Sequence, residues 1–261
     1  MRILLGLEYD GSRFHGWQSQ ADGSGVQDAV ESAVGKVAAS VVSVTAAGRT
    51  DAGVHATLQT AHFDVGTSRP DTAWVRGVNA HLPDAAVVRW ALAISEEFHA
   101  RFTATGRHYT YLLLDRPIRP ALLRERVGWY HRPLAVEPMR RAADALLGTH
   151  DFSTFRASEC QARTPVKTLD RLDIARDDDM IRFDFHADAF LHHMVRNIVG
   201  ALVYIGSGRQ GESWIGELLR GRDRTRAAPT FSAAGLYLTG IDYPSRWNLP
   251  STRAPVRMPA A

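Results

Sequence analysis

The sequence predicts two α+β domains of the ferredoxin-like, RRM-like kind, each a mixed and mainly antiparallel sheet with helices on one face, joined side by side. Three observations carry this. Runs with a period of two alternate with runs at helical spacing; the first hundred residues read strand, helix, strand, strand, helix, strand; and the pattern starts again at Gly106. The expected domains are residues 1–105 and 106–247, followed by a mobile tail over 248–261 that holds Pro250, Pro255 and Pro259 and has no apolar period.

Residues 3–9 form a short apolar-rich run stopped by Asp10-Gly11-Ser12, a strand followed by a turn. Ser24 precedes Val26, Ala29, Val30, Ala33, Val34 and Val37 at helical spacing and is placed to cap the free amides of that helix. Val41, Val42 and Val44 read as a strand ending at Thr45, and residues 58–65 alternate as another. Pro70-Asp71 opens a helix carrying Trp74, Val75 and Val78, and residues 86–94 supply the next strand. In the second half, residues 106–114 alternate His108, Thr110 and Leu112 with Tyr109, Tyr111 and Leu113, until Asp115-Arg116-Pro117 breaks the strand. A helix over 136–147 comes next, then strands over 168–174 and 180–186 joined at Asp177-Asp178-Asp179. A helix over 190–205, a shorter one over 212–219 and a strand over 235–242 complete the plan.

A hydrophobic content of 45% with 9% aromatic residues is ordinary for a soluble globular chain of 261 residues and argues against dominant disorder. The formal charge is only +3, yet the basic residues are nearly all arginine, Lys36 and Lys167 being the lysines. Arginine's planar fork suits phosphates and stacks on bases, so the bias fits an RNA partner; the codon usage of a GC-rich genome produces it equally well. Cys160 is the one cysteine, so the chain forms no internal disulfide and has no CxxC zinc pair. A reducing compartment, no secretory signal after Met1, and no apolar run beyond residues 198–205 lead to an expected cytoplasmic protein without a membrane span.

Chemistry concentrates in Ala47-Gly48-Arg49-Thr50-Asp51-Ala52-Gly53-Val54-His55-Ala56, a loop between strands that sets a carboxylate and a guanidinium two positions apart between glycines. Gly48 and Gly53 permit backbone angles or close approaches that a Cβ forbids, so a substrate can come near the main chain. An Asp in such a loop also commonly caps a turn, and a neighbouring Arg often makes a surface ion pair of little worth. Upstream, residues 9–20 combine two large aromatics with glycines and amides in a connector, either a self-packed loop or the rim of a ligand site. His192 and His193 are not read as metal ligands, because neighbours on a helix point roughly 100° apart and no i,i+4 set completes a coordination sphere. The sequence holds no GxGxxG, GxxxxGK[ST] or HExxH motif, so neither cofactor nor metal is expected.

Gly-Arg-Thr-Asp-Ala-Gly-Val-His-Ala resembles the catalytic signature of the TruA family of tRNA pseudouridine synthases, and Tyr-Asp-Gly-Ser-x-Phe-x-Gly-Trp-Gln-x-Gln is similar to its N-terminal signature. Further similar stretches are Arg107-His108-Tyr109-Thr110-Tyr111, residues 151–158, residues 190–200 and residues 222–230, in family order from about Arg2 to Pro250. Leu58 departs from the pattern, which commonly has glycine there. The resemblance implies an isomerase that converts uridine to pseudouridine at positions 38, 39 and 40 of the tRNA anticodon stem-loop, without cofactor, as a homodimer, in a cleft between the domains. It implies Asp51 as nucleophile and Arg49 as its ion-pair partner and an agent of base extrusion. Tyr109 would pack on the target base, although Tyr111 shares its face of the strand and only the motif chooses between them. Arg196 and Arg156 would hold substrate, and Arg222 and Arg224, with Arg220 and Arg226, would track phosphates. A further basic group, Arg101, Arg107, Arg116, Arg119, Arg124, Arg126 and Arg132, is expected to supply part of an RNA groove. Two rivals remain: an inert RNA-binding module, and a nucleoside or glycoside hydrolase, which needs a partnered acid and base that the sequence does not display.

Overall fold

A computed structural model describes residues 1–256 and shows the elements β1 (Arg2–Tyr9), α1 (Val26–Ala38), β2 (Thr45–Ala46), β3 (His55–Asp64), α2 (Asp71–Asn79) and β4 (Ala86–Ile94). After them come β5 (Gly106–Asp115), β6 (Gly128–Tyr130), α3 (Val136–Ala143), β7 (Gly148–Asp151), β8 (Val166–Asp177), β9 (Met180–Ala187), α4 (Met194–Gly206), α5 (Trp214–Gly221) and β10 (Leu236–Asp242). The described residues divide into two compact units, residues 1–105 with 237–256 and residues 106–236. Residues 237–247, expected in the second domain, therefore pack with the first. Within the segment expected as a tail, Ile241 N donates to Thr252 O at 3.0 Å and Ala254 N to Thr239 O at 2.9 Å, so residues 252–254 lie against β10. Residues 257–261 of that tail lie outside the described residues.

In the first unit β1 lies between β3 and β4 and is antiparallel to both, while β2 pairs antiparallel with the far edge of β3. That is the split β-α-β plan anticipated from the alternating pattern. The start of β10 pairs parallel to β3 at Tyr237 and Leu238. Ile3, Leu5 and Leu7 alternate with Leu4 and Gly6 across a strand buried on both faces. Trp74 of α2 meets Phe63 of β3 edge to face at 5.3 Å, which seats the helix on the sheet.

Two local expectations fail for identifiable reasons. The cap of α1 is Gly25, because Asp28 reaches back to accept from Gly25 N at 2.9 Å while Ser24 Oγ donates to Asp22 at 2.6 Å. Residues 41–44 form no strand: Val44 N donates to Glu31 Oε1 at 2.8 Å instead of a ladder, and Val41 is fully exposed.

His62, on β3, is buried, and its Nδ1 accepts from Ala100 N at 3.2 Å, which requires that nitrogen to carry no proton. Burial first, then the positive charge of Arg2, pushes its pKa down to about 4 from 6.5. The neutral ring's contribution to stability is full above pH 6.5 and is lost as pH falls from 6.5 through 4. Thermal unfolding is expected to show Tm falling across that window, and His62→Gln to flatten the fall; equal slopes for the two proteins would contradict this.

The second unit repeats the plan. β9 lies between β5 and β8, antiparallel to both, β7 extends the sheet beyond β8, and β6 pairs parallel to β5. β6 and β7 are short edge strands absent from the sequence expectation. The β8–β9 hairpin turns at Asp178, whose φ of +53° is left-handed, a conformation Asp tolerates better than most residues. α3 packs on α4, with Met139 Sδ filling the space that a Cβ at Gly206 would take. Among the described residues no helix is long and apolar enough to cross a membrane.

Candidate active site

The loop between β2 and β3 is held at its start by the sheet. Ala47 N donates to Thr60 O at 2.9 Å, and Gln59 Nε2, from a side chain with no exposure, donates to Gly48 O at 2.7 Å. Its centre is fixed by Thr50, which is buried. Thr50 Oγ1 lies 2.8 Å from Tyr9 Oη, and Thr50 O accepts from Trp17 N at 2.9 Å. Burial pushes the Tyr9 phenol up to about 12, so this partner stays a neutral hydroxyl at any working pH. With Thr50 anchored inward, Arg49 is exposed and Asp51 half-buried on either side of it. Asp51 then starts a β-turn: Val54 N donates to Asp51 O at 3.1 Å, and Gly53 at the third position has φ +79°, which other residues adopt only with strain.

The connector over residues 9–20 packs directly on this loop. Gly11 N donates to His55 Nδ1 at 3.1 Å, and a Cβ on Gly11 would overlap the Val54 carbonyl. Gly16, at φ +89°, sits so close that a Cβ would stand 2.9 Å from Thr50 O, 3.1 Å from Ala52 N and 3.2 Å from Asp51 C. The two glycines are thus required by close approach of one main chain to another, and the segment is a buttress for the Asp51 turn. His55, at the start of β3, stacks on Tyr237 with ring centres 4.6 Å apart.

In the second unit Tyr109 and Tyr111 lie on one face of β5 but in different surroundings. Tyr111 is sealed in the core, its hydroxyl donates to Ser232 O at 2.8 Å, and burial pushes its pKa up. Tyr109 is half-exposed and meets Phe190 edge to face at 5.1 Å. Of the two, Tyr109 is the ring with surface to offer a ligand. Arg196 lies in the first turn of α4, half-buried, with Nε donating to Phe231 O at 2.8 Å while Phe231 N donates back to Arg196 O at 3.3 Å. α4 starts late, at Met194, because His193 at its N-cap is left-handed with φ +62°.

The remaining arginines divide. Arg156 donates from its guanidinium to Cys160 O and, at 3.0 Å, to Ala162 O, which closes the loop that follows it. Arg222 is exposed, with Nε 3.4 Å from Asp151 Oδ2. Arg224, expected at a phosphate-tracking edge, is turned inward. It donates to Ala228 O at 3.0 Å, to Asn197 Oδ1 at 3.1 Å and to Thr230 Oγ1 at 3.1 Å, and burial lowers its pKa. The sequence reading missed Asn197, which is fully buried in α4. The available signal was a single amide within the apolar run of that helix, since a buried polar side chain needs partners.

A family model described as tRNA pseudouridine synthase matches residues 7–103 and 142–244. A relative from Dechloromonas aromatica is 60% identical over 250 residues, covering 96% of this chain and 95% of its own. Another from Thiobacillus denitrificans is 60% identical over 252 residues and covers 97% of each chain. A third, from Chromobacterium violaceum, is 59% identical over 252 residues and covers 96% of each. All three are named tRNA pseudouridine synthase A.

Proposed function

The chain belongs to the tRNA pseudouridine synthase family, an isomerase family, and from that membership we propose that it converts uridine to pseudouridine at positions 38, 39 and 40 of the tRNA anticodon stem-loop. The observation that supports this best is the construction of the Asp51 turn: buried Thr50 behind it, Gly16 against it, and a half-buried carboxylate at its start. A base stacked in RNA is out of reach of such a carboxylate, so the target nucleotide is flipped outward at a cost of a few kcal/mol, offset by phosphate contacts and a base pocket. Asp51 attacks ribose C1′, the C1′–N1 bond breaks, and an ester joins Asp51 to the sugar. The released uracil turns and bonds C1′ through C5 as the ester breaks, C5 gives up its proton and N1 gains one. Substrate and product have the same atoms, so the step needs no redox cofactor and no external nucleophile.

In this reading Arg49 pairs with the nucleophile and assists extrusion, and Tyr109 packs on the target base. Arg196 holds negative charge on Asp51 or a phosphate. Arg156 holds substrate, and Arg222 meets phosphate at the surface. The working form is a cytoplasmic homodimer. Targets at three neighbouring positions favour docking by tRNA shape, which suits arginines reading an A-form backbone. Transcripts in which uridines 38, 39 and 40 are replaced singly and together by cytidine test the site. Product is expected to disappear only in the triple replacement; persistence there would move the target elsewhere in the tRNA.

A further inference from the structure

Three stretches of the second unit meet at one amide. Asn197 Nδ2 donates to Phe155 O at 2.8 Å, and Asn197 Oδ1 accepts from Thr230 Oγ1 at 2.7 Å and from Arg224 at 3.1 Å. Arg224 adds bonds to Ala228 O and Thr230 Oγ1. The segment 228–231 is thereby pressed along α4, so closely that a Cβ on Gly200 would stand 2.5 Å from Pro229 O. That segment ends at Phe231, whose carbonyl receives Arg196 Nε at 2.8 Å and whose N–H returns to Arg196 O. A guanidinium bonded through Nε has its plane set by the acceptor, since its nitrogens are fixed in one fork.

We propose that Arg224 and Asn197 are positioning residues for the reaction: by locking residues 228–231 onto α4 they set the plane of the Arg196 guanidinium, and Arg224 does not contact tRNA. The inference rests on the role given to Arg196 above. The arrangement has the character of a supporting shell, in which a buried network holds a working side chain in one rotamer.

The test compares Arg196→Met, Arg224→Met, Thr230→Val and the double variant Arg196→Met/Arg224→Met. Each is assayed for single-turnover rate at saturating tRNA, for tRNA affinity across a salt series, and for Tm. Arg224→Met is expected to lower the rate at least about tenfold and to leave the salt slope of binding unchanged. The double variant is expected to be no slower than Arg196→Met alone, because the two groups act as one unit. A role confined to stability would lower Tm and leave the rate at assay temperature untouched. Thr230→Val removes one hydroxyl only and carries the same expectations if Arg224→Met fails to fold.

A full rate in both Arg224→Met and Thr230→Val overturns the proposal. So does a loss of about 0.7–0.9 in the salt slope of Arg224→Met, the mark of a phosphate contact, or a double variant that multiplies the two single losses. Full activity in Arg196→Met sinks the Arg196 role itself, whereas a slow Arg196→Met beside normal Arg224→Met and Thr230→Val sinks the positioning inference alone.

Discussion

Asp51→Asn is expected to yield a folded protein that binds tRNA with near-parental affinity and turns over at least about 10⁴-fold more slowly, the scale on which enzymes lose a nucleophile. The amide has the shape of the carboxylate but lacks the charge that attacks carbon. The main-chain bond of the turn, from the Val54 N–H to the Asp51 carbonyl, and the anchor of Thr50 on Tyr9 are both kept in the variant. Single-turnover assays, a tRNA binding isotherm and a thermal melt check the three parts. Substantial turnover would remove Asp51 from the chemistry while leaving the family membership intact.

Gly16→Ala is the second large effect, and it acts without touching a reacting atom. A non-glycine residue at φ +89° is strained, by about 1–2 kcal/mol for left-handed backbone, and the new methyl would stand 2.9 Å from Thr50 O and 3.2 Å from Asp51 C. Both contacts are with main chain, which cannot swing aside as a flexible side chain would. The contact between the two main chains has to open by a few tenths of an ångström, and a displacement of about 1 Å costs on the order of 10²-fold in rate. The expected result is a modest fall in Tm with a drop in turnover of up to that size; parental turnover would show that the buttress is not needed to place the turn.

The sequence made the strands and the loop legible because they follow from period-two burial and from glycine, both of which are local. β4 occupies residues 86–94 as the alternation requires, and the Asp51 segment is a connection between strands. Where competition for hydrogen bonds decides, local reading fails: Asp28 reaches back to the Gly25 amide and makes Gly25, not Ser24, the cap of α1, and Glu31 takes the Val44 amide that a strand would have used. β6 and β7 are three and four residues long, too short to show a period. Residues 252–254 carry no apolar pattern, yet main-chain bonds to β10 fasten them, and main-chain pairing leaves no trace in composition. Around the candidate site, Asp51 and Arg49 could be picked out by residue type. Thr50, between them, could not be recognised as the anchor, since its partners Tyr9 and Trp17 lie more than thirty positions away in the chain. Arg224 reads as surface charge in a run of arginines and is turned inward by a buried amide that only the fold brings near it.

The claim on which the rest depends is that this chain moves a glycosidic bond within tRNA through Asp51. It is tested most directly by incubating the protein with tRNA tritiated at uracil C5 and following label, free base and chain length together. The expected result is tritium released to water, no free uracil and an intact tRNA chain, with release abolished in Asp51→Asn. Free uracil would identify a hydrolase, binding without release an inert module, and release by Asp51→Asn at the parental rate a different nucleophile.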